Sequence, residues 1–94
     1  MIHIRQRADG DPIEFDVVVG EGKDKTSHRV TISRAMLTRL TADSCAPERC
    51  IEAVFQFLLD REPKEAILRR FDVAVVARYF PEFERELPRY LPRR

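Results

Sequence analysis

Residues 47–61, PERCIEAVFQFLLDR, hold the strongest local pattern in this 94-residue chain. Cys50, Ile51, Val54, Phe55, Leu58 and Leu59 recur at helical spacing and make one wide apolar face. Glu48, Arg49, Glu52, Gln56 and Asp60 fall on the other side. Ser44 or Ala46 stands where a cap belongs, and Pro47 suits the first turn, where its missing N–H costs nothing. Pro63 lies just beyond and turns Glu62 away from helix. The stretch reads as a core helix of about four turns, and the remaining elements must pack around it.

Upstream of this helix the period changes to two. Ile2 and Ile4 alternate with His3 and Arg5. Ile13, Phe15, Val17 and Val19 alternate with Glu14, Asp16 and Val18, and Val30 and Ile32 share a face. Asp9-Gly10 is a two-residue hairpin signal, and Pro12 follows where a strand can begin. Gly20 to Thr26, GEGKDKT, reads as a polar, flexible loop. The expectation is a three-stranded antiparallel meander over about 2–8, 13–19 and 27–32, with one apolar face that needs covering.

Ser33 can cap a short helix, Arg34 to Leu40, that turns Ala35, Leu37 and Leu40 to the sheet. After the long helix a third helical piece is expected from Pro63 to about Arg70, with Ile67 and Leu68 apolar. Asp72 caps a further helix, Val73 to Tyr79, although the β-branched VAVV also fits a short strand. Pro81 opens a last short helix with Phe83, Leu87, and Tyr90 or Leu91 at helical spacing; Pro88 and Pro92 keep it short. Strands first and helices after them define a single α+β domain with the helix at about 47–60 in its centre.

Hydrophobic residues are 44% and charged residues 35% of the chain, the composition of a folded domain. The formal charge is +1, from 17 basic and 16 acidic groups, so there is no global pull toward nucleic acid or acidic membrane. The distribution is uneven. Residues 63–94 carry eight basic and five acidic groups, a net of 8 − 5 = +3, and Arg dominates: Arg69, Arg70, Arg78, Arg85, Arg89, Arg93 and Arg94. No signal-peptide core and no bilayer-spanning run is present, which points to a cytoplasmic protein.

Candidate chemistry is sparse. Cys45 and Cys50 make no disulfide framework, and their spacing is not that of a zinc pair. Strand parity points His3 to solvent and His28 to the core side, so the two histidines cannot share a metal. Cys45 with His28 is the one nucleophile–base pairing to consider, and no nucleophile motif surrounds either residue. Gly20-Glu21-Gly22-Lys23 lacks phosphate-loop spacing, and the carboxylates Asp60, Glu62, Glu82, Glu84 and Glu86 read as helix-end and helix-surface charges. No catalytic, cofactor-binding or metal-ligating set emerges, and the expectation is a non-enzymatic protein.

Two stretches suggest binding instead. Residues 64–80 could form a helix-turn-helix-like corner presenting Arg69, Arg70 and Arg78 to nucleic acid; its second helix, however, offers apolar residues where base-reading groups belong. The last 24 residues crowd Phe71, Tyr79, Phe80, Phe83 and Tyr90 among arginines. Aromatics and Arg are the composition of protein contact surfaces. The favoured expectation is an interaction module, homodimeric or with another protein, using Arg78, Tyr79, Phe80, Phe83, Arg85, Arg89 and Tyr90.

The run IEAVFQFLLDREPKEAILRRFDVAVVARYFPEFE, residues 51–84, resembles small proteobacterial proteins of unknown function. The resemblance implies a bacterial cytosolic origin and carries over no activity and no site residue.

The helix reading places Val54, Phe55 and Leu58 deep in the core. Phe55→Ala should therefore lower stability by about 3–5 kcal/mol in urea denaturation. A loss below about 1 kcal/mol would mean that the helix turns another face inward.

Overall fold

The period-two segments pair in chain order. β1 (Ile2–Asp9), β2 (Ile13–Glu21) and β3 (Asp24–Ile32) form an antiparallel meander. A computed structural model describes residues 1–92 of the chain; Arg93 and Arg94 lie outside the described residues. The register sets Ile4 opposite Val17, Val17 opposite His28, and Phe15 opposite Val30. Ile13, Phe15, Val17, Val30 and Ile32 are all fully buried on that one face.

The strands run further than their apolar residues indicate. Residues expected as a flexible loop extend β2 and β3 to a two-residue turn, Gly22-Lys23, closed by Glu21 opposite Asp24. Gly22 supplies φ +60°, the positive value that this tight hairpin needs at its first central position. Conversely, the expected two-residue Asp9-Gly10 turn is a three-residue connection. Asp9 is still paired with Ile13, and the Asp11–Pro12 peptide is cis. Arg34 holds this connection: its backbone N–H donates to Asp11 Oδ1 at 3.0 Å and its guanidinium to Asp9 Oδ1 at 2.6 Å.

α1 (Arg34–Thr41) starts at Ser33, whose hydroxyl accepts from the Met36 N–H at 3.0 Å. It buries Met36 rather than Ala35, which is exposed, while Leu37 and Leu40 are half-buried. α2 (Pro47–Leu59) begins at Ala46 without a side-chain cap and with Pro47 in its first turn. Its buried surface is wider than one face. Phe55 meets His28 and Phe71, with ring centroids 5.4 and 5.9 Å apart. Phe57, two residues on and pointing the other way, is also fully buried.

The expected helix over 63–70 does not form. Lys64–Ala66 makes one 3-10 turn, and β4 (Arg70–Asp72) follows, paired in parallel with β3 through Arg29–Arg70, Val30–Phe71 and Thr31–Asp72. The sheet order is therefore β1-β2-β3-β4. Asp72 then caps α3 (Val73–Tyr79) by accepting from the Ala74 N–H at 3.0 Å, so the helical reading of VAVV holds. Because a strand replaces the first helix, 64–80 is not a helix-turn-helix corner. α4 (Phe83–Glu86) and a 3-10 turn, Leu87–Arg89, complete the α+β fold. The helices lie on the buried face of the sheet, and the opposite face is open.

The C-terminal segment docks on Phe57. Phe80, Phe83 and Tyr90 meet its ring edge-to-face at 5.8, 5.1 and 5.9 Å. The Arg61 guanidinium covers the same ring at 3.7 Å and donates to Glu82 at 3.1 Å and to the Tyr90 hydroxyl at 3.4 Å. Tyr90 in turn donates to Asp60 Oδ2 at 2.6 Å. Arg61→Ala removes the cation–π contact and both side-chain hydrogen bonds and should cost about 1–2 kcal/mol in chemical denaturation. Arg61→Lys should recover only part, because an ammonium lacks the planar fork that spans Glu82 and Tyr90.

Candidate functional site

The conversion of 64–72 from helix to turn and strand opens a cleft. Its walls are the C-terminal end of α2, the 3-10 turn, β4 and α3. Leu58, Ile67, Leu68, Phe71, Val76 and Tyr79 contribute to a lining that encloses about 320 Å³. Among the described residues, Glu62 is the only charged one lining it. Leu68 is 48% exposed and Tyr79 67% exposed, and with Met1 they are the large apolar residues most open to solvent among the described residues. Both stand at this cleft. Leu68 is stranded there because the 3-10 turn ends at Ala66 and leaves no helix face to bury it.

The proposed C-terminal surface divides in two. Tyr79 and Phe80 line the cleft. Phe83 is fully buried against Phe57 and belongs to the core, and Tyr90 is half-buried with its hydroxyl committed to Asp60. Arg78 is exposed near the end of α3, while Arg85 and Arg89 each pair with Glu86, at 3.6 and 3.2 Å. The nucleic-acid set divides as well. Arg70 pairs in register with Arg29 on the open face of the sheet, and Arg69 borders the same face. Arg78 is on the helical layer. Leu68, Phe71 and Val75 were missed as cleft residues, because a helix over 63–70 would have used Leu68 for packing and hidden the gap.

His28 is 3% exposed. Its Nδ1 sits 2.8 Å from the Leu68 carbonyl oxygen and its Nε2 2.8 Å from the Thr26 hydroxyl. A neutral ring protonated on Nδ1 satisfies both, donating to Leu68 and accepting from Thr26. Both nitrogens are thereby occupied, and neither serves as a base for Cys45. Cys50 is buried in α2, where desolvation pushes its thiol up to about 12, far from nucleophilic use. His3 is exposed on the opposite side of the sheet from His28. Among the described residues no group of three or more His, Cys, Asp or Glu gathers at metal-binding distance, and no helix is long and apolar enough to cross a membrane.

Comparison of the chain with protein-family models, with curated proteins and with solved structures finds no match.

The His28 geometry has a pH signature. Burial drives its pKa below the usual 6.5; the bond to Leu68 opposes this and the nearby Arg69 charge adds to it. The unfolded chain therefore takes up a proton that the folded chain resists. The contribution of neutral His28 is complete above about pH 6.5 and declines as pH falls from there toward the folded-state value. Urea midpoints should fall across that window, and His28→Gln, although less stable overall, should flatten the decline.

Proposed function

We propose that the protein is a non-enzymatic interaction module that self-associates through the cleft between β4 and α3. The observation that carries this reading is the placement of exposed Leu68 and Tyr79 on one apolar cleft. A two-fold contact joins the same patch on both subunits, so the patch must carry both a projection and a recess. Tyr79 is the projection and the cleft beside it is the recess, roomy enough for a tyrosine ring. Tyrosine suits such a role, since a large ring is fixed by few rotatable bonds and keeps a polar tip at the rim. The absence of charge from the cleft apart from Glu62 favours an apolar anchor over an ionic one.

Sedimentation velocity over a concentration series tests the proposal. The native chain should shift from monomer to dimer as concentration rises, and Tyr79→Glu and Leu68→Ser should hold it monomeric. Both residues are exposed, so their replacement should leave the circular dichroism spectrum unchanged. A native chain that stays monomeric throughout, or a dimer unaffected by either substitution, would overturn the reading.

A further inference from the structure

We infer that the open face of the sheet is a docking surface for the phosphate backbone of single-stranded nucleic acid. The observation is a row of charge that crosses all four strands. Arg5 pairs in register with Asp16, Asp16 with Arg29, and Arg29 with Arg70. At about 4.8 Å between strands the row is about 14 Å long. A bulge after Gln6 brings Arg7 to the same carboxylate. Asp16 thus faces three guanidiniums, Arg5 at 3.5 Å, Arg7 at 3.4 Å and Arg29 at 3.5 Å. Arg7 also pairs with Glu14 at 3.9 Å, so two carboxylates face three guanidiniums and one positive charge is left over. Partial desolvation works against the ionisation of Asp16, yet the Arg7 hydrogen bond and the positive charges of Arg7 and Arg29 hold its pKa below the usual carboxylate value.

The excess charge remains free. The Arg29 Nε is shielded from water and makes no hydrogen bond, although Asp16 lies within ion-pair range. Arg69 and Arg70 make no ion pair among the described residues. Arg5, Arg29, Arg69 and Arg70 border a shallow hollow of about 640 Å³ whose only carboxylate, among the described residues, is Asp16. The four cations against one anion give this hollow a local net of 4 − 1 = +3, three times the +1 of the entire chain.

The chemistry of the face selects its occupant. Its fixed cations are all Arg, whose planar fork matches the oxygens of a phosphate. Of the apolar residues bordering the hollow, Ile4 and Val17 point to the core by strand parity and Val18 is half-buried, so among the described residues the face lacks the anchor that a protein contact requires. No element protrudes from it to enter a duplex groove, whereas a flexible single strand can lie along the row and meet several guanidiniums in turn. Among the described residues the one ring on this face is the exposed imidazole of His3, so stacking is limited to a single base and binding is chiefly to the backbone, with little dependence on sequence.

Fluorescence anisotropy with a labelled mixed-sequence DNA single strand tests the inference. Arg69→Gln combined with Arg70→Gln should weaken binding about tenfold and reduce the salt slope by about 1.4, from two lost phosphate contacts. The charge-matched pair Arg49→Gln with Arg85→Gln, on the helical layer, should change affinity less than about threefold. Asp16→Asn should bind more tightly than the native chain, a gain that damage to the fold cannot produce. Equal losses in the two Arg pairs, no gain from Asp16→Asn, no binding at low salt, or tighter binding to a duplex or to polyglutamate would each overturn it.

Discussion

Phe55 and Phe57 lie two residues apart on one helix, point in opposing directions, and must both leave water. That requirement organises the molecule. Phe55 reaches the sheet side and meets His28 and Phe71. Phe57 reaches away and can be buried only if the chain returns to cover it. The last third of the chain does this with Phe80, Phe83 and Tyr90, and Arg61 seals the remaining face of the ring. A helix with a single apolar face would lie on the sheet and leave its back to solvent. α2 is instead a central layer, clothed on both sides.

The route of the return chain follows from the same demand. To travel from the end of α2 to the Phe57 side, the chain passes the edge of the sheet at residues 64–72. There β3 offers unpaired backbone groups, and three residues pair with it in parallel. His28 adds a tie, donating to the Leu68 carbonyl across 40 residues of sequence. These bonds outweigh what a short helix could gain, since a single turn of helix is costly to nucleate. The cleft beside β4 is the consequence: a strand and a turn fill less space than the helix they replace.

The two surfaces argued for function have distinct physical characters. One is an apolar recess at the edge of β4 with an exposed ring on its rim. The other is a charged, shallow plane on the far side of the sheet. The net charge of +1 conceals the second, because carboxylates spread over the rest of the chain, other strand positions included, balance the arginines that meet there. Both surfaces use residues near β4, with Leu68 and Phe71 toward the cleft and Arg69 and Arg70 toward the plane.

The sequence by itself determined what depends on near neighbours. Period-two alternation specified three strands and their inward face, with His28 among the core-facing residues. Ser33 and Asp72 marked the starts of α1 and α3 by side-chain bonds made within two or three residues. Helical spacing specified α2. Tertiary structure decided whatever needed a distant partner. Arg70–Asp72 is too short to announce itself and exists as a strand only because β3 lies beside it. Phe57 falls outside the apolar face that helical spacing marks, and it is buried because Phe83, 26 residues on, covers it; that same contact removes Phe83 from the expected partner surface. Arg5, Asp16, Arg29 and Arg70 are scattered through the sequence, and strand register alone aligns them. Local pattern encodes backbone preference and the direction of burial; which side chains share a surface depends on contacts that cross the chain, and these form only when the core closes.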